Sequence, residues 1–109
     1  MTQDDIIDAL YRQKQLLEEQ MPVLLSRCQS EAESAALKGA YSRASQQWND
    51  AVNTALRADD PLMAGLVKDL KSLQDEIEDM IGKADDLGSV LGKVATGIGI
   101  GAKILTLVK

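Results

Sequence analysis

Apolar residues recur every three or four positions along most of the chain, which is the spacing of one face of an α-helix. In the first third of the chain, only Lys14 interrupts this spacing. The apolar positions there are Ile7, Leu10, Leu17, Met21, Leu24 and Cys28. Thr2 followed by Asp5 predicts a capping box at the start of this helix. No stretch of β-branched or aromatic residues alternates with a period of two, so the pattern predicts an all-α fold.

Pro22 lies inside this first helical pattern, where a proline costs about 3 kcal/mol or more. Because the spacing continues through Pro22 without a change of phase, we expect one helix with a kink there. A new helix that begins at Pro22 is the alternative. The polar residues 29–34 follow and predict either a short turn or a local change in coiled-coil winding. A second seam, meaning a row of residues on one helix face, comprises Leu37, Tyr41, Ala44, Trp48, Ala51, Ala55 and Ala58.

The strongest turn signal is the segment 58–61, which ends in Asp60 and Pro61. Asp60 is a good N-cap, and proline favours the first helical position after such a cap. We therefore expect a reversal between an N-terminal helical arm, 1–58, and a long C-terminal helical arm, 61–109. The predicted fold is an elongated antiparallel helical hairpin or bundle in a single domain. Because so small a hairpin buries little apolar surface, we expect self-association to complete its interior.

The C-terminal arm has the most regular pattern, since steps of three and four alternate without a slip from Leu66 to Val108. Six heptads in register are typical of a coiled-coil seam. We expect one helix over 61–109, about 73 Å long at ~1.5 Å per residue. The alternative is a break at 82–86, with Gly82 as a helix end. The seam comprises Met63, Leu66, Leu70, Leu73, Ile77, Met80, Ala84, Leu87, Leu91, Val94, Ile98, Gly101, Leu105 and Val108.

Five of the eight glycines fall between residues 88 and 101. Each glycine inside a helix costs about 0.8–1 kcal/mol relative to alanine, so we expect a close helical partner that compensates for them. Beside the apolar seam runs a small-residue stripe: Gly88, Gly92, Ala95, Gly99, Ala102 and Thr106. The predicted contacts with another copy or a helical protein partner are Tyr41, Trp48, Leu66, Leu70, Leu73, Ile77, Leu87, Gly88, Leu91, Gly92, Val94, Ala95, Ile98, Gly99, Ala102 and Leu105.

The net charge of −5 is unevenly distributed along the chain. Residues 1–86 carry nine basic and seventeen acidic groups, whereas residues 87–109 carry three lysines and no acid. A helix over 87–108 would measure about 33 Å, enough to cross the ~30 Å hydrocarbon core of a bilayer. Lys93 and Lys103 oppose such insertion, so the net free energy of inserting this helix into a bilayer is close to zero. If 87–109 meets a membrane, the expected lipid contacts are Lys93, Ile100, Lys103 and Leu107.

The composition closes off several kinds of chemistry. The chain has no histidine, the usual general base near neutral pH and the commonest metal ligand. Cys28 is the single cysteine, so no intrachain disulfide or thiolate zinc site can form, and its place on an apolar face favours a structural role. Nucleic-acid binding is disfavoured because the chain is acidic and its basic residues are dispersed. We expect neither a metal site nor a cofactor.

These features predict a non-enzymatic helical assembly module that self-associates through its seams and its glycine-rich C-terminal helix. The alternative is a membrane-active helical protein that uses 87–109, such as a pore-former, a translocator or a bacterial or phage lysis-type component. The acidic, polar N-terminus has no cleavable signal, which predicts a cytoplasmic protein. Secretion by a signal-independent route and membrane association are the alternative locations.

Overall fold

The computed structural model describes residues 1–109 and contains four α-helices and no β-strand. The helices are α1 (Gln3–Arg27), α2 (Glu31–Val52), α3 (Pro61–Gly82) and α4 (Leu87–Ile104). This confirms the all-α class. The molecule measures 43 × 22 × 18 Å, and its four helices pack into one bundle.

Each helix is preceded by a capping residue whose side chain accepts a hydrogen bond from a backbone N–H of the first turn. The capping residues are Thr2, Ser30, Asp60 and Asp86, which are the residue types that stabilise helix N-termini. The predicted capping box is confirmed, because the carboxylate of Asp5 also accepts from the backbone N–H of Thr2 at 2.8 Å. The predicted cap at Asp60 before a first-turn proline is confirmed as well.

Pro22 lies inside α1, which confirms the prediction of one helix that continues through it. The predicted arm 1–58, however, is two helices. The chain reverses after Arg27, and residues 28–30 form a short turn before α2. For the polar stretch 29–34, the structure therefore contains the short turn and not the local change in coiled-coil winding.

The predicted continuous helix over 61–109 is wrong, and the break at 82–86 is what the structure contains. After Gly82, Ala84 takes a left-handed backbone conformation with φ 55°, and the N–H of Asp85 bonds back to the carbonyl of Met80 at 2.9 Å. Asp86 then caps α4. A connection of four residues is about one helical turn long, so the three-four spacing resumes in phase after the chain has reversed.

The helix also ends earlier than predicted, since residues 105–109 lie beyond α4. This tail pairs with the connection between α2 and α3. The N–H of Arg57 bonds to the carbonyl of Leu107 at 2.8 Å, and the N–H of Lys109 bonds to the carbonyl of Ala55 at 2.9 Å. The end of α4 is thereby tied to the start of α3.

The bundle consists of two antiparallel helical hairpins laid side by side. Helices α1 and α2 form the first hairpin, and α3 and α4 form the second. Between the hairpins, α1 lies beside α3 and α2 lies beside α4. Helices α2 and α3 do not touch. One half of the molecule therefore presents α1 and α3 to solvent, and the opposite half presents α2 and α4.

The interior contains two apolar clusters, one near the α1–α2 turn and one near the chain termini. Where they meet, three glutamine side chains are buried: Gln13, Gln47 and Gln74, which are 6%, 8% and 1% exposed. We call these three residues the glutamine layer. In the sequence pattern, Lys14 occupied the position between Leu10 and Leu17 on the apolar face of α1. In the structure, Gln13 is the residue that is buried there.

Candidate functional site

Several residues predicted as contacts with another chain are buried inside this one. Leu70, Leu73 and Ile77 of α3 pack in the interior, as do Leu87, Val94 and Ile98 of α4. Leu66, Leu91 and Leu105 are half-buried against the same clusters. The apolar seam of the C-terminal arm thus holds α3 and α4 against the rest of their own chain.

The aromatic residues of α2 have partners in the same chain. Trp48 is half-buried and meets the edge of Tyr11 of α1, with ring centroids 5.3 Å apart and planes at 60°. The ammonium of Lys14 lies 5.3 Å from the Trp48 ring and 5.4 Å from the Tyr11 ring, a cation–π arrangement. Tyr41 is half-buried beside Met21 and lines a shallow depression. These contacts join α1 to α2.

The small-residue stripe of α4 is different, because its members face solvent. A Cβ atom added at Gly92 or at Gly99 would meet no atom within 4 Å. The close helical partner predicted for this stripe is therefore absent from this chain. The exposed members within α4 are Gly88, Gly92, Ala95, Gly99 and Ala102, while Thr106, also exposed, lies beyond the end of the helix.

Gly97 and Gly101 are buried and lie outside the stripe; the sequence pattern places Gly101 on the apolar seam and Gly97 on neither row. A Cβ on Gly97 would lie 2.5 Å from Oε1 of Gln13, and one on Gly101 would overlap the amide of Gln47. These two glycines make room for the glutamine layer. A signal existed in the sequence: Gln13 stands three residues after Leu10, and Gln47 three residues after Ala44, so both occupy core positions of the helical pattern.

A shallow groove of about 320 Å³ runs between α2 and α4, next to the small-residue stripe. Its α2 wall consists of small residues and one cation: Ala35, Ala36, Gly39, Ala40 and Arg43. Its α4 wall is Leu91, Val94, Ala95 and Ile98. We call this groove, together with the exposed stripe of α4, the α2–α4 face. An added Cβ at Gly92 or Gly99 would meet no atom within 4 Å, so the face permits the close approach of another backbone there.

The two halves of the bundle differ in charge. Helices α1 and α3 together carry ten carboxylates and five basic groups, a net charge of −5. Helices α2 and α4 together carry three carboxylates and four basic groups, a net charge of +1. The α2–α4 face therefore lies on the nearly neutral side of an acidic protein.

On the acidic half, two pKa shifts come from pairs of oppositely charged side chains at the surface. A hydrogen bond from Arg12 to Asp75 raises the pKa of the Arg12 guanidinium. A hydrogen bond to Asp79, 2.9 Å away, raises the pKa of the Lys83 ammonium. The first pair joins α1 to α3, and the second lies at the C-terminal end of α3, so both have a structural role. No group of three or more histidine, cysteine, aspartate or glutamate side chains could hold a metal ion.

The candidate lipid contacts are scattered over different environments. Lys93 pairs with Glu76 of α3 at 3.1 Å, and Lys103 is exposed. Ile100 packs against both apolar clusters, and Leu107 lies in the tail that pairs with residue 57. By length and composition α4 is the one helix that could cross a membrane, with a mean hydropathy of 1.2 over 18 residues, a third of them buried. The core helix of a soluble protein passes the same test.

Comparison of the chain with protein-family models, with curated proteins and with solved structures finds no match.

Proposed function

We propose that this chain is a non-enzymatic helical assembly module in which two copies pack through their α2–α4 faces. The observation that carries the proposal is the exposure of Gly92 and Gly99 along one line of α4, where an added Cβ would meet no atom within 4 Å. Each of these two glycines costs the helix about 0.8–1 kcal/mol relative to alanine. Unlike Gly97 and Gly101, neither of them is needed by a neighbour in the core.

A second copy is the partner that fits this surface, because it presents the same small residues. When two small-residue stripes meet, the helix backbones approach closely and gain dispersion contacts along their length. A self-complementary patch on each of two subunits produces a twofold dimer, which is the commonest closed assembly of soluble proteins. In such a dimer, the stripe and the groove walls form the contact between copies that the sequence pattern assigned to a coiled-coil seam.

The charge distribution favours the same arrangement. In a dimer formed through the α2–α4 faces, the halves with a charge of −5 point away from each other. The surfaces that meet carry a charge of only +1 each. Contact through the acidic halves would instead bring like charges within the ~8 Å over which they repel each other at physiological salt.

A membrane-active function is the second candidate, and the observation in its favour is the apolar character of α4. This helix has no carboxylate and carries Lys93 and Lys103, so anionic lipid would attract it. It competes with dimerisation for the same exposed stripe. The test below therefore includes lipid binding as one of its outcomes.

The test compares Gly92→Gln with Gly65→Gln by sedimentation velocity. Both glycines are exposed in helices, and a Cβ at either meets no atom within 4 Å, so both variants should fold. Gly92 lies on the α2–α4 face, while Gly65 lies on α3 and serves as the matched control. We expect Gly92→Gln to raise the dimer dissociation constant by about tenfold or more, equivalent to ~1.4 kcal/mol, with Gly65→Gln close to the wild type.

Two results would overturn the proposal. The first is a Gly92→Gln variant that dimerises as tightly as the wild type. The second is a wild-type chain that is monomeric throughout and co-sediments with anionic phosphatidylserine vesicles in a manner lost in Gly92→Gln. That second result would transfer the small-residue stripe to the membrane-active function.

A further inference from the structure

The amide of Gln74 is the most deeply buried polar side chain of the protein, at 1% exposure. Its Nε2 atom donates a hydrogen bond of 2.8 Å to the backbone carbonyl of Ala9 in α1. Its Oε1 atom has no hydrogen-bond partner, and it is the one buried side-chain nitrogen or oxygen atom in that condition. An amide oxygen that has left water without gaining a donor is unfavourable in an apolar interior.

Turning the amide round does not solve the problem. With nitrogen and oxygen exchanged, Oε1 would face the carbonyl of Ala9, and two acceptors would stand against each other. The hydrogen bond to Ala9 therefore fixes the orientation of the amide. The donor that Oε1 lacks has to come from elsewhere.

Gln74 lines a small cavity between α1, α3 and α4, with a volume of about 10 Å³. This volume is at the lower limit of the ~10–15 Å³ that one buried water molecule requires. Gln13 is the other polar residue of its lining. The remaining lining residues are apolar: Leu16, Leu17, Leu70, Leu73, Ile77 and Val94.

We infer that this cavity is a binding site for a single internal water molecule, which donates a hydrogen bond to Oε1 of Gln74. The amide of Gln13 is the second polar group that the water meets, and buried waters normally have two to four such partners. The glutamine layer then becomes a hydrated network that links α1, α2 and α3. It extends from Gln74 through the water to Gln13, which bonds to Gln47 at 3.2 Å.

Oxygen-17 magnetic relaxation dispersion tests this inference, because it counts water molecules that stay in a protein for longer than the tumbling time. We expect the wild-type chain to show one long-lived water per chain. Gln74→Met, which removes the amide and approximately conserves the volume, should lose that water. Gln46→Met should keep it, because Gln46 is an exposed glutamine of α2 that bonds only to Asp50.

A wild-type dispersion without a long-lived water would overturn the inference, as would a full signal that persists in folded Gln74→Met. If Gln74→Met does not fold, a measurement on the wild type decides the question. The internal water should give a direct nuclear Overhauser effect with the side-chain amide protons of Gln74. Absence of this effect, with those protons assigned and protected from exchange, would contradict the site.

Discussion

The side-chain amide of Gln47 lies so close to Gly101 that a methyl group on this glycine would overlap it. The amide cannot simply move aside, because it is held at both ends. Its Nε2 atom donates to the carbonyl of Ile98 at 2.8 Å, and its Oε1 atom accepts from Gln13 at 3.2 Å. This contact fixes α4 against α2 at one level of the bundle, and it separates the glycines of α4 into two groups with different roles.

Gly101→Ala should therefore destabilise the fold, although alanine is the better helix former. The added methyl group would break one or both hydrogen bonds of Gln47 or shift α4, which we expect to cost about 1–3 kcal/mol. Urea unfolding followed by circular dichroism measures this loss. A variant as stable as the wild type would show that the amide of Gln47 yields freely.

Gly92→Ala and Gly99→Ala should have the opposite effect. Each removes a glycine from the interior of a helix where the new methyl group meets no atom, so each should raise the free energy of unfolding by about 0.8–1 kcal/mol. The experiment belongs at a low protein concentration, where dimers make no contribution. Gly65→Ala in α3 is the control and should give a similar gain. A loss of stability at position 92 or 99 would indicate a contact within the chain.

Pro22→Ala should stabilise the protein by about 1–3 kcal/mol, since Pro22 is exposed and lies inside α1. The alanine restores a backbone N–H that can bond to the carbonyl of residue 18. Chemical unfolding measures the gain. If the variant is no more stable than the wild type, the bundle depends on the shape that proline gives to α1.

The capping box makes a pH-dependent contribution. The hydrogen bond from the backbone of Thr2 lowers the pKa of the Asp5 carboxyl below its usual 3.8. A lowered pKa in the folded state means that the charged form adds stability above the unfolded-state pKa and loses it as the pH falls through the folded-state pKa. Asp5→Asn should therefore be less stable than the wild type at neutral pH, with the difference shrinking well below pH 3.8. Unfolding curves at both pH values test this, and a pH-independent difference would contradict it.

Local signals in the sequence were enough to predict part of this fold. Thr2, Asp60 and Pro61 act within one turn of their own helix, so their roles follow from the order of residues alone. The continuity of α1 through Pro22 follows likewise from the phase of the neighbouring apolar positions. The number of helices could not be read in this way, because the connection 83–86 preserves helical phase.

The candidate site depends on contacts between helices, which spacing alone does not give. Spacing correctly places Gly92 and Gly99 on one line of a helix. Whether that line faces the core depends on which side chains fill the core, and here Gln13 and Gln47 fill it opposite Gly97 and Gly101. The resulting rotation of α4 about its own axis leaves the small-residue stripe exposed to solvent.

Binding of a second copy by the α2–α4 face should be visible in the molar mass of the wild-type chain in solution. Sedimentation equilibrium should be recorded over a range of concentrations up to about 100 μM, well above a micromolar dissociation constant. We expect a mass that rises with concentration towards twice 11.8 kDa. A mass that stays at 11.8 kDa over the whole range would contradict it.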